Sequence, residues 1–135
     1  MSDDRINGMR LPSQLMAALS DKSWSTQGKY WQTVFSAGEA VMPSLNSLGL
    51  MRRENKSWRE ETEPAFLGMT DGHTTPGILD PTRSVLIGEL QPDAMIALDY
   101  RNGEEGPSVV YLNMEGRWVQ VAEGFDEFWR RLIGT

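Results

Sequence analysis

The chain has 135 residues, a net charge of −6 at pH 7, one histidine and no cysteine, and 39% of its residues are hydrophobic. This is the length and composition of one folded domain, so we expect a single domain over residues 1–135. The absence of cysteine excludes disulfides, thiolate metal sites, iron–sulfur clusters and cysteine nucleophiles, and the single histidine excludes any site that needs two imidazoles.

Two helices are predicted in the N-terminal part of the chain. The first covers residues 11–21, where Pro12 suits the first turn and apolar residues follow at helical spacing. The second begins at residue 25 or 26 and ends at Gly38, because its aromatic and aliphatic residues again fall on one face. The pattern over residues 39–63 is too irregular to assign.

Beyond residue 64, short apolar runs alternate with turn residues, which indicates strands. A short strand at 65–69 and a loop over 70–81 are predicted first. Four clearer strands follow, at residues 84–90, 94–101, 108–114 and 117–122. In the second of these, Ile96, Leu98 and Tyr100 lie on one face and the alternate residues, Asp99 among them, on the other. The four strands are expected to form an antiparallel meander.

The C-terminal segment has the clearest local pattern in the chain. One helical stripe is formed by Phe125, Phe128, Trp129, Leu132 and Ile133. Acidic residues occupy the first turn and arginines the last, as the helix dipole favours. These elements predict an α+β fold, an antiparallel-rich twisted sheet with N-terminal helices and a C-terminal helix packed on one face.

The negative charge is concentrated in the middle of the chain. Residues 61–115 carry ten acidic residues against Arg83 and Arg101, whereas residues 1–60 have a net charge of +2. Such a segment repels phosphates and attracts a basic protein, so direct nucleic-acid binding is not expected. Strand ends and turns should expose part of it near the sheet edges. The predicted partner-binding residues are Asp93, Asp99, Glu104, Glu105 and Trp118.

Trp118 is included because tryptophan is enriched at protein interfaces. The same applies to Trp24 and Trp58, and for all three a surface anchor and a core residue are about equally expected. His73 lies in a polar loop and is expected to be exposed rather than catalytic, because no nucleophile-elbow motif accompanies it. The acidic residues do not follow a calcium-loop spacing, so neither a metal nor a cofactor is expected.

Four segments in the second half of the chain together form a pattern of apolar residues typical of strands followed by a helix. They are Leu86-Ile87-Gly88, residues 93–99, residues 107–111, and Trp118 to Ala122 leading into Phe125-Asp126-Glu127-Phe128. This pattern resembles the SUKH superfamily over residues 84–133, and residues 24–64 are not covered. Many bacterial members of that superfamily are immunity proteins that bind and neutralise secreted toxins, often nucleases, and its fungal branch regulates cell-wall assembly.

The resemblance implies a non-enzymatic protein-binding module, an immunity protein that masks a basic toxin or effector domain. The alternative is a regulator or scaffold of cell-wall or envelope assembly. A small-ligand binder or hydrolase around His73 is the third possibility. No apolar run reaches the roughly 18 residues of a membrane helix, and the start Met-Ser-Asp-Asp lacks the features of a signal peptide, so a cytoplasmic protein without membrane contact is expected. The oligomeric state is left open.

Overall fold

The computed structural model describes residues 4–21, 44–70, 72, 76–90, 94–103, 106–113 and 115–133. Over these residues the helices are α1 (Ser13–Asp21), α2 (Leu48–Glu61), α3 (Pro64–Leu67) and α4 (Phe125–Ile133). The strands are β1 (Arg5–Ile6), β2 (Met9–Arg10), β3 (Ser44–Leu45), β4 (Pro76–Gly77), β5 (Ser84–Glu89), β6 (Met95–Asp99), β7 (Ser108–Leu112) and β8 (Trp118–Ala122). The predicted α+β fold is confirmed.

Six of the strands form one antiparallel sheet in the order β3-β5-β6-β7-β8-β4. The four central strands follow one another in sequence, so the predicted meander is confirmed. Strands β1 and β2 form a separate hairpin. The outer strands of the large sheet, β3 and β4, contain two residues each. Because β3 is so short, other groups must cover most of the edge of β5.

The sheet buries side chains on both faces. Ile96 and Leu98 belong to the larger core, to which the β1–β2 hairpin and the buried residues of α1 and α4 also contribute. Ala97 belongs to a smaller core on the opposite face of the sheet. This alternation along β6 is the predicted one. Phe128 in α4 is fully buried and Trp129 is 6% exposed, so the predicted packing of the C-terminal helix on one face is confirmed.

The segment after Pro64 differs from its prediction. The apolar run at 65–69 was expected to be a strand, but Pro64–Leu67 forms a single helical turn. Proline favours the first turn of a helix, and this turn packs Phe66 against the smaller core. Gly68 then forms an isolated antiparallel bridge with Ile78, and Pro76–Gly77 forms a short strand inside the predicted loop over residues 70–81.

Residues 39–63, which the sequence pattern did not assign, contain the longest helix of the described chain. The hydroxyl of Ser47 accepts a hydrogen bond from the Leu50 N–H at 3.2 Å and caps the start of α2. Only three residues of this helix are buried, namely Met51, Asn55 and Trp58. The predicted helix ending at Gly38 lies outside the described residues.

Candidate functional site

Helix α2 lies along the edge of β5, and two buried side chains fix it there. Asn55 is fully buried, and its side-chain amide donates to the Leu86 carbonyl at 2.9 Å and accepts from the Leu86 N–H at 2.7 Å. The Trp58 indole N–H donates to Ser84 Oγ at 2.9 Å. Strand β3 pairs with β5 only at Gly88 and Glu89, and these bonds satisfy polar groups of β5 beyond that point. They also set the rotation of α2 about its axis.

A groove of about 730 Å³ opens between α2, α3 and strands β3, β5 and β6. Apolar side chains from all of these elements except β3 line it, namely Leu50, Trp58, Phe66, Leu86 and Met95. Trp58 and Leu86 are buried, whereas the other three are half-buried. Side chains that are half-buried around a concave surface can lose further solvent contact when a partner binds.

The rim of this groove is acidic. Among the described residues, it carries the carboxylates of Glu54, Glu61, Glu63 and Glu89 and one guanidinium, that of Arg53. We call the concavity, with these four carboxylates, the acidic groove. Three of the four belong to the acidic middle segment recognised in the sequence. The segment therefore does cluster part of its charge in the fold.

Little within the described chain neutralises these carboxylates. Glu54 accepts a hydrogen bond from the Asn46 side chain at 3.0 Å. Across the described residues, none of Glu61, Glu63 and Glu89 forms an ion pair. Unpaired carboxylates that line a concave surface produce a negative potential that attracts cationic groups.

Asp99 was predicted to be exposed, and this prediction is wrong. The residue is 6% exposed at the end of β6, where it pairs with Ser84 on one side and Ser108 on the other. Its carboxylate lies 2.8 Å from Nε of Arg101 and also accepts from the Arg101 backbone N–H at 3.1 Å. A neighbouring arginine thus neutralises the buried charge, and Asp99 stabilises the turn that follows β6.

Trp118 is not a surface anchor either. It is fully buried, its indole N–H donates to the Phe66 carbonyl at 2.9 Å, and its ring meets Trp58 edge-on at a centroid distance of 5.9 Å. The expected interface role of Trp118 is therefore wrong, because α3 and α2 cover its side chain. Trp58 is also buried, at 4% exposure, but it lines the acidic groove.

The other predicted site residues lie outside the described residues. These are Asp93, Glu104 and Glu105, and the same holds for His73 and Trp24. Their proposed roles are therefore still predictions. The structure brings none of the five predicted partner-binding residues into the acidic groove as far as the described residues extend.

Sequence reasoning missed Glu54 and Glu61 because they belong to a helix that was not assigned. Two signals were available. Ser47 precedes the segment as a capping residue, and the two glutamates are seven residues apart, which places them on the same side of a helix. The contribution of Glu89 could not be inferred, because it depends on how β5 packs beside α2.

No helix in the described parts of the chain combines the length and the apolar character needed to cross a membrane. In the same residues, no three side chains of the metal-binding types come together as a metal site. None of the protein-family models, curated proteins and solved structures compared with the chain matches it.

Proposed function

We propose that this chain is a non-enzymatic protein-binding module that neutralises a basic toxin or effector domain. The observation that carries the proposal is the acidic groove, in which four carboxylates and one guanidinium of the described residues surround an apolar floor. Exposed charges of one sign steer a partner of opposite charge, and burial of the floor holds it after contact.

A nuclease-like toxin has the surface chemistry that this groove would recognise. Proteins that bind nucleic acids present clustered lysine and arginine side chains to the phosphates. An acidic module that covers such a cluster excludes the nucleic acid by competition and needs no chemistry of its own. The resemblance of residues 84–133 to the SUKH superfamily supports the same function, because many of its bacterial members are toxin-immunity proteins.

The experiment is capture of the partner from lysate and secretome of the source cells, followed by an activity assay with the captured domain. The charge-reversed variant Glu61→Lys/Glu89→Lys should retain less than about a tenth of the partner that the parent retains, since two attractive contacts become repulsive. The matched control is Glu60→Lys/Glu123→Lys, which changes two exposed carboxylates that do not line the groove. The control should capture as much as the parent.

The captured domain should be basic, and the parent chain should inhibit its activity on nucleic acid in proportion to the amount added. Capture of an acidic or neutral protein, or equal capture by the groove variant and its control, would contradict the proposal. Capture of a component of envelope assembly without inhibition would favour the alternative role as a regulator or scaffold.

A further inference from the structure

Two of the four rim carboxylates are arranged in register along α2. Glu54 and Glu61 are seven residues apart, which is about 10.5 Å along a helix axis and within about 20° of the same direction around it. Trp58 lies between them and is part of the groove floor. The wall of the acidic groove therefore presents charge, apolar surface and charge in a line.

A helical partner segment matches this line better than an extended one. In a helix, side chains at i and i+7 share a face and are about 10.5 Å apart, with i+3 and i+4 between them on the same face. In a strand the same-face positions i+2 and i+4 lie about 6.6 and 13 Å away, so neither matches this spacing unless the long side chains bend. The helix offers two cations and an apolar side chain to the groove without that adjustment.

We propose, building on the proposed function, that the acidic groove binds a helical segment of the partner that carries two basic side chains seven residues apart. The two cations pair with Glu54 and Glu61, and the apolar side chains between them pack against Trp58 and Phe66. Glu63 and Glu89 add negative potential from the other side of the groove. This is the helix-in-groove mode of recognition, with charge setting the register.

The basic side of α2 in a second copy does not fit the groove. Helix α2 has exposed basic residues at Arg52, Lys56 and Arg59, also spread over seven residues. Arg52 is about 200° around the helix from Glu54, so the basic side faces away from the groove. A copy that inserted this side into the groove would leave its own groove open to the next copy, so the contact would be head-to-tail and would give a ring or a filament rather than a closed dimer. We expect the isolated chain to show no groove-dependent self-association.

The test uses synthetic helical peptides, each locked by a lactam bridge on its far face so that helix formation does not limit binding. The first peptide carries arginines seven residues apart with leucines between them. The second has the same composition with the arginines five residues apart, which turns them about 140° away from each other. The third replaces both arginines with glutamates. Affinity for the folded parent chain is measured by isothermal titration calorimetry.

We expect the first peptide to bind at least about fivefold tighter than the second, and the third to show no binding. The variant Glu54→Gln/Glu61→Gln should lose about three- to tenfold in affinity for the first peptide, whereas the matched control Glu60→Gln/Glu123→Gln should not change it. Circular dichroism establishes that both variants are folded. Equal affinity of the first two peptides, or no binding of either, would overturn the inference.

The outcomes separate this inference from the proposed function. If reversal of Glu61 and Glu89 abolishes capture of a basic partner but the peptide spacing has no effect, the helical register is wrong and the protein-binding function stands. If neither capture nor peptide binding depends on the groove, both are wrong. Self-association of the parent that Glu54→Gln/Glu61→Gln removes would make a second copy the occupant and overturn the inference.

Discussion

Asn55 takes the place of a strand residue at the edge of β5. Its amide pairs with both the N–H and the carbonyl of Leu86 and also donates to the Met51 carbonyl at 2.8 Å. A backbone group that is buried without a partner costs about 1–3 kcal/mol, so this one side chain both satisfies the ladder and holds α2 beside the groove.

We expect Asn55→Leu to lower the free energy of unfolding by about 3 kcal/mol, because the two backbone groups of Leu86 lose their partners. Urea denaturation checks this, with Lys56→Leu as the control at the next, exposed position of α2. A cost below about 0.5 kcal/mol would show that the amide does not hold α2 on β5.

Asn55→Asp should be destabilised in a pH-dependent manner. The introduced carboxylate would be buried and would face two carbonyl oxygens, those of Leu86 and Met51. Burial and the two carbonyls disfavour its charged form, whereas the Leu86 N–H that now donates to Asn55 would favour it; we expect the first two effects to prevail and to raise its pKa in the folded state. The native state then binds more protons than the unfolded state, so the stability lost at pH 8 is partly recovered as the pH falls through the raised pKa. Urea denaturation at pH 5 and pH 8 would show a pH-independent difference from the parent if this carboxylate were solvated.

Gly68 is required where α3 ends and the chain bridges to Ile78. Its φ is 97°, and a Cβ atom would lie 2.1 Å from the Gly77 carbonyl oxygen and 2.8 Å from the Trp118 ring. We expect Gly68→Ala to cost at least about 2 kcal/mol. Gly103→Ala is the matched control, because its φ of 116° is also positive but no atom of the described residues lies within 4 Å of the added atom. If the thermal unfolding midpoints of the two variants fall equally, the close approach at Gly68 contributes nothing.

At the scale of elements, helix α4 combines a complete apolar stripe with buried aromatic packing. Phe125 lies 5.5 Å from Phe128 and 6.4 Å from Trp129 between ring centroids, all within the larger core. Trp129→Ala should lower the free energy of unfolding by about 3–5 kcal/mol through the lost burial and the cavity. The neighbouring Arg130 is exposed, so Arg130→Ala should change stability by less than about 0.5 kcal/mol. A Trp129→Ala protein that melts within a degree or two of the parent would contradict the docking of α4.

The elements that the sequence predicted well are those with a clear local pattern. The four central strands are short apolar runs bounded by turn residues, and α4 repeats its apolar residues at three and four positions. Helix α2 was not predicted, because its fully buried side chains are few and one of them is an amide. The turn at Pro64–Leu67 contains an apolar run that is typical of a strand. Its proline stands at the start of the run, where it favours the first turn of a helix instead.

The candidate site could be predicted only in its chemistry. The acidic excess of residues 61–115 is visible in the sequence, but its grouping depends on contacts between segments that are far apart. Glu54 and Glu89 line the same groove across 35 positions of sequence because α2 packs on the edge of β5. Conversely, Asp99 is buried and forms an ion pair with Arg101. No periodicity in the sequence indicates this pair.

At the scale of the whole molecule, the net charge of −6 and the acidic groove would make separable contributions to the proposed binding of a basic partner. The overall charge acts at long range and is screened over about 8 Å at physiological salt, so it affects the association rate. Groups in contact with the partner also affect the dissociation rate. Two double reversals with the same change in net charge can therefore distinguish the two contributions.

We expect Glu61→Lys/Glu89→Lys and Glu104→Lys/Glu105→Lys to differ in kinetics with the captured basic partner. Both raise the net charge by four units and should slow association, with a smaller effect at high salt because the charges are screened. Only the groove pair should also speed dissociation, by about tenfold, because it places like charges in contact with the partner. Surface plasmon resonance at two salt concentrations measures both rates. Faster dissociation confined to the Glu104 and Glu105 pair would place the contact outside the acidic groove. An association rate that does not depend on salt concentration would contradict an electrostatic basis of binding.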